Sequence, residues 1–235
     1  MSVLTICQDA ALELSLVEPT SVVSTTDDTA KKLARHLSKV CLALANRYDW
    51  QVLRRQQTFV TSSGDEQTGA IPSDFLRFVQ STMYNRTQRR PVLGPMTPAE
   101  WQSYKAATVN PVDPTFYQRG NAIVITPPST EGETVAYEYI TKAIGTTADG
   151  ATQRERFALD SDLPYFNEEA LTLGVVASYR QAERLDYAEE FRQFELAVAE
   201  MIKQDGGRRV LDLDDMRRDP TWRVNGGLLD YFVTT

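Results

Sequence analysis

Two one-sided apolar stripes, one towards each end of the chain, constrain its fold more than anything between them. Ala30, Leu33, Ala34, Leu37, Val40, Cys41 and Leu44 recur at spacings of three and four. That spacing places them on one face of a helix over about residues 27–48, with Lys31, Lys32, Arg35 and Lys39 turned elsewhere. Tyr187, Phe191, Phe194, Val198, Met201 and Ile202 repeat the pattern near the other end, opposite Glu189, Glu190, Arg192, Glu195 and Glu200. A one-sided helix gains most of its stability from covering its apolar face, so the helices from both ends must pack together.

Two more helices complete such a bundle. Leu4, Cys7, Ala10, Ala11 and Leu14 form a short stripe over residues 4–16. The run "ALTLGVVASY" is apolar nearly all round, as in a helix at the centre of a bundle. This central helix is expected to open near Leu163, capped by Asp162 or Ser161, and to bend or turn near Leu185–Asp186. Gly206–Gly207 then supply a left-handed stop to the last helix.

Between the helical ends the period changes. From Trp50 onward, "QVLRRQQTFV", "FLRFVQSTMYN", "NAIVITP" and "TVAYEYITKA" are rich in β-branched and aromatic residues and read as strands. Arg119-Gly120-Asn121 reads as a tight hairpin turn, because Gly and Asn tolerate the positive φ such turns need. One short helix interrupts the region, with Thr97 as N-cap, Pro98 in the first position and Glu100 in the first turn. The expected fold is α+β: a bundle of about four main helices, an inserted β-rich domain and an extended C-terminal arm. The corresponding segments are 1–50, 51–145, 146–207 and 208–235.

Composition narrows the function. The chain has 235 residues, 42% hydrophobic and 24% charged, the balance of a soluble globular protein. The N-terminus has no basic leader region, and no apolar run approaches the ~20 residues of a membrane span, so neither export nor membrane residence is expected. Cys7 and Cys41 both fall on apolar helix positions and read as buried thiols, with a disulfide between neighbouring helices as the alternative. A net charge of -7 is the wrong sign for gripping nucleic acid through its phosphates. It suits a surface past which DNA slides.

The residues needed for catalysis are sparse. His36 is the only histidine and is expected as a satisfied residue near the rim of its helix. With no CxxC pair, the usual zinc ligand sets cannot be assembled, and no cofactor is expected. Asp212, Asp214 and Asp215 lack the order and central glycine of a calcium loop. Neither a Walker loop nor a dinucleotide fingerprint is present. A carboxylate-only hydrolase would need converging acids, but Glu168-Glu169 and Glu189-Glu190 are adjacent on helices, where neighbours point apart. Arg86, Arg89 and Arg90, beside Tyr84, read either as a solvated loop or as a contact for a phosphate backbone or an acidic partner.

The residues after the last helix are more informative. Arg208, Arg209, Arg217, Arg218 and Arg223 are balanced by Asp212, Asp214, Asp215, Asp219 and Asp230, and no lysine is present. Leu211, Leu213, Met216, Trp222, Leu228, Leu229, Tyr231 and Phe232 accompany them. Arginine, aromatics and methionine without lysine are the composition of an interface core. The segment either folds back on its own helices or becomes ordered against another subunit. The second reading, with Trp222 and Leu228–Phe232 as anchors, fits the composition better.

Helices ending in "ANRYDWQVL", then "IPSDFLRFV", "PTFYQRGNAIVITPP" with its later "YEYI", and "DLPYFNEEALTLGVVASY" before a glycine-terminated helix resemble the head-to-tail adaptors of tailed bacteriophages. The nearest branch is the podovirus tail tubular protein A or head-completion adaptor type, and the resemblance covers about residues 3–206. It implies a non-enzymatic virion protein, made in the host cytoplasm, that forms a dodecameric ring beneath the portal protein and continues the DNA channel into the tail. It also implies neighbouring copies, portal and a downstream tail protein as partners, with Arg208–Thr235 in the place of the docking arm. Arg86, Arg89, Arg90, Arg119 and Asn121 would then face the next tail component. A tail terminator or another soluble virion binding module is the alternative.

Overall fold

The structure is a computed structural model that describes residues 1–106 and 113–206. Helices α1 (Val3–Glu13) and α2 (Asp28–Arg47) come first, followed by one 3-10 turn (Gln51–Leu53) and strand β1 (Arg54–Val60). Strands β2 (Glu66–Thr68), β3 (Phe75–Phe78), β4 (Tyr84–Asn85) and β5 (Arg90–Pro91) lead to the short helix α3 (Pro98–Ala106). Next are β6 (Thr115–Arg119), β7 (Ala122–Thr126), β8 (Thr134–Thr141), β9 (Gly145–Thr146), β10 (Gln153–Arg154) and β11 (Leu163–Pro164). Helices α4 (Glu168–Ala182) and α5 (Ala188–Asp205) end the described chain. The fold is α+β, as the two periods in the sequence predict.

The helix ends follow local chemistry. Ser2 caps α1 through the Thr5 amide, and Asp27 caps α2 through the Thr29 amide. Thr97 and Glu100 form a reciprocal capping box at α3, each side chain accepting the other's amide hydrogen. The start of α4 departs from expectation. Its cap is Asn167, whose side chain accepts from Ala170, and Leu163–Pro164 instead pair with β9. Asp162 is fully buried, accepting from the amides of Ala158 and Leu159. Asp162 therefore organises a loop, while the helix waits for the next residue able to cap it. The break between α4 and α5 spans Leu185–Asp186 as expected. Gly206 is right-handed, with φ -78°, so it is not the left-handed stop that the glycine pair suggests.

Helix α4 lies at the centre, packed against α1, α2 and α5. Its buried residues run almost continuously from Ala170 to Ala177, which explains an apolar composition on every side. Gly174 lets the neighbours close in: a Cβ there would lie 2.7 Å from Val40 Cγ1 and 2.9 Å from a Phe194 ring carbon. Cys7 and Cys41 are buried free thiols, and burial pushes the Cys7 thiol up to about 12.

A second core lies between two sheets. In the larger sheet β8 is central, antiparallel to β1 on one side and to β3 and β4 on the other, with β5 outside β4. Strands β2, β7 and β6 form the other sheet, and Gly120, at φ +57°, makes the β6–β7 turn with Asn121. Val135, Tyr137 and Tyr139 point from β8 into this core with Phe75, Phe116, Ile123 and Ile125. Ile140, one residue on and therefore on the opposite face, belongs to the helical core with Leu53 and Ile144. One strand thus feeds both cores.

Arg77 joins the sheet to the bundle. From β3 its guanidinium donates to the carbonyls of Ala45 at 2.8 Å and Tyr48 at 2.7 Å, and to Asp49 Oδ1 at 2.9 and 3.1 Å. The buried Trp50 indole donates to the Leu44 carbonyl at 2.7 Å. These two side chains satisfy carbonyls that the end of α2 leaves without helical partners. Replacing Arg77 by Met should lower unfolding stability by about 2 kcal/mol, the scale of hydrogen bonds to a charged group. Arg77→Lys should recover only part of this, because an ammonium cannot reproduce the planar fork. Urea unfolding midpoints of the three chains check both, and equal midpoints would remove Arg77 from the junction.

Candidate docking surfaces

The expected arm residues Arg208, Arg209, Leu211, Leu213, Met216, Arg217, Arg218, Trp222, Arg223, Leu228, Leu229, Tyr231 and Phe232 lie outside the described residues. The place from which they depart is defined. Asp205 accepts from the Gln51 amide at 3.0 Å, and its own carbonyl accepts from the Gln51 side chain. Gly206 sits beside the Tyr48 hydroxyl. The last described residue is therefore fixed at the junction of bundle and sheet, next to the Arg77 fork. Sequence spacing could not show this, because Gln51 and Asp205 are 154 residues apart.

Arg86 and Arg89 lie in the loop between β4 and β5, and Arg90 follows as the first residue of β5. The loop backbone is held at several points: the Arg86 amide donates to Thr134 at 2.8 Å, the Tyr84 hydroxyl donates to the Arg89 carbonyl at 2.6 Å, and the Gln88 amide donates to Asn85 Oδ1 at 3.0 Å. Beneath the loop lies Glu133, only 6% exposed. Its carboxylate accepts from Asn85 Nδ2 at 2.7 Å and from the Gln88 side chain. Its amide donates to Thr61 Oγ1 at 3.0 Å. Glu133, Asn85 and Gln88 are the residues that sequence reasoning missed, since their sequence positions show no pattern that would pair them.

Arg119 and Asn121 are exposed at the β6–β7 turn. That hairpin belongs to the smaller sheet, whereas the arginine loop edges the larger one, and the bridge from Leu93 to Thr115 connects the two regions. Asn121 also lines a groove of about 770 Å³ with Phe75, Phe78, Pro95, Gln118 and Lys142. The structure thus gathers the three loop arginines but assigns the hairpin residues to a separate element.

The residue types of catalysis are occupied otherwise. His36 is 7% exposed, not at a rim: the helical spacing turns it towards α4, where its Nδ1 meets Ser178 Oγ at 2.6 Å and its ring packs edge-on against Tyr179. No carboxylate hydrogen-bonds to the ring among the described residues, so the pair lacks the orienting acid of a nucleophilic triad. Glu189 is bound by Arg192 and Gln193, which hold its carboxyl down to about 2, and Glu190 pairs with Arg180 at 2.6 Å. Among the described residues no group of three or more His, Cys, Asp or Glu is placed to hold a metal ion. Nor is any helix there long and apolar enough to cross a membrane.

Burial, then the nearby Lys39, Arg35 and Lys32, lower the pKa of His36 from its ordinary 6.5. Below about pH 6.5 the unfolded chain binds a proton that the folded chain resists. His36 therefore leaves stability intact above that pH and reduces it as pH falls towards the lowered folded value. Thermal melting at about pH 7.5 and 5.5 should show the loss, and His36→Gln should make it smaller. An unchanged pH difference in the variant would assign the effect elsewhere.

A comparison with curated proteins finds no match. The family comparison does: bundle, sheets and the first residues beyond Gly206 are all covered by the model of one family, which matches residues 1–220. The chain belongs to the SU10 adaptor protein family.

Proposed function

We propose that this chain is a structural adaptor of a tailed-phage virion, joining head to tail without catalysing a reaction. The observation that carries this reading is the family match, which runs through the helical bundle, the β-rich insertion and on to Pro220. In this reading copies of the chain form a ring, dodecameric by resemblance, between the portal protein and a downstream tail protein. The ring continues the DNA channel, and the net charge of -7 suits a conduit whose cargo must not adhere. The helices of segments 1–50 and 146–207 provide the ring's frame, and segment 51–145 faces the tail.

Docking on portal is assigned to Arg208–Thr235. Support comes from its arginine, aromatic and methionine content and from the fixed point at Gly206 from which it departs. A chain as long as residues 207–235 spans at most roughly 100 Å, enough to reach a neighbouring or overlying subunit. The family match ends at Pro220, two residues before Trp222. On this reading Arg208–Arg218 belong to the shared docking element, and Trp222 with Leu228–Phe232 adds contacts particular to this chain.

Light scattering of the full chain mixed with its portal ring tests the assignment. Deleting residues 208–235 should leave cooperative melting largely intact while abolishing addition of about one chain per portal subunit. An aggregating, collapsed variant would place the segment inside the fold, and portal binding that survives deletion would relocate the docking surface. Separately, Trp222→Ala should weaken assembly by about 2 kcal/mol if Trp222 is an anchor. Assembly at unchanged concentration would move the anchor to another residue.

A further inference from the structure

The arginine loop sets three arginines within five residues on a backbone that is hydrogen-bonded from beneath. Of the described arginines, Arg47, Arg54, Arg77, Arg154, Arg180 and Arg192 have carboxylate partners within 4 Å, whereas Arg35, Arg55, Arg119, Arg156 and Arg184, scattered over separate elements, do not. None of Arg86, Arg89 and Arg90 has a carboxylate that close among the described residues, although the chain has 32 acidic residues against 25 basic ones. Arg89 has φ +56°, a left-handed conformation that Gly or Asn would adopt at lower cost. Arg90 Nε is buried and without a hydrogen-bond partner among the described residues. The loop keeps this shape because Tyr84, Asn85, Gln88 and Glu133 brace it from below.

Beside the loop, the exposed face of the larger sheet has a depression of about 280 Å³ lined by Gln56, Thr82, Tyr84, Arg86, Ala136 and Glu138. Tyr84 is 42% exposed there. An exposed tyrosine next to unpaired arginines is the composition of an interface anchor.

We infer that the Arg86–Arg90 loop is a preorganised docking site for a carboxylate-rich protein segment, with Asn85, Gln88 and Glu133 as its positioning residues. Guanidinium groups match carboxylates through planar, paired hydrogen bonds, and a braced loop loses less conformational entropy on binding than a free one. A protein segment fits better than duplex DNA. A duplex presents regular phosphate charge over tens of ångströms and would meet the acidic remainder of the chain, whereas a short acidic segment engages only what lies within about a Debye length of the loop. The inference rests on the adaptor reading only for which virion component supplies the segment.

The test uses the full chain and a fluorescent oligoglutamate peptide, with no portal present, so its failure would leave the adaptor reading standing and the reverse also holds. Binding should be measurable at low salt and weaken steeply as salt rises. Arg86→Glu with Arg89→Glu, both at exposed positions, should weaken it at least about tenfold at an unchanged melting temperature. Gln88→Ala keeps all three arginines but removes the side-chain bond to Glu133, and should weaken binding about threefold or more while the melting temperature holds. Three results would overturn the inference: no peptide binding, binding unaffected by the double variant, or tighter binding to duplex DNA lost in the same variant. An inert Gln88→Ala would overturn the positioning role.

Discussion

The end of helix α2 is the point on which the rest of the molecule depends. A helix that stops without a left-handed glycine leaves carbonyls that must find donors, and here the donors come from elsewhere in the fold. Trp50 turns back onto Leu44 from the residues that follow the helix, and Arg77 reaches Ala45 and Tyr48 from strand β3. The satisfaction of one helix terminus therefore also fixes how the sheet meets the bundle. Trp50 adds an apolar link, stacking edge-on against Tyr48 and Phe166 on either side.

The same junction controls the end of the described chain. Because Asp205 is tied to Gln51, helix α5 finishes beside the residues that Arg77 organises. Residues 207–235 follow on from a point tied to Gln51 and Tyr48, at the edge of the helical core. Strand β8 joins the two cores, with Tyr139 in the sheet core and Ile140 in the helical one.

Buried and half-buried polar groups play two different roles. Asp74 accepts from Tyr139 and Thr141 and braces the strand β8 end, while burial and that carboxylate push the Tyr139 hydroxyl up to about 12. Glu133 instead braces an exposed loop rich in unpaired arginine. The first arrangement completes a core, and the second holds a surface in a defined shape. That difference separates a structural network from a site candidate when both consist of ordinary residue types.

The sequence by itself determined the α+β class, the two helical ends, the capping box at α3 and the Gly120 hairpin. Each of these is set by neighbours within a few residues, so spacing and residue type suffice. The apolar stripe of α2 and the all-round apolarity of α4 also showed which helix would be central. Tertiary structure decided the rest. Asp162 looks like a helix cap in one dimension but is consumed by a buried loop, and Asn167 takes its place. His36 reads as a rim residue until α4 covers it. Glu133 and Gln88 are 45 residues apart, and Arg77 lies about 30 from the carbonyls it satisfies. Such contacts join groups whose separation along the chain obeys no period; only the packing of two cores against each other brings them within hydrogen-bond reach.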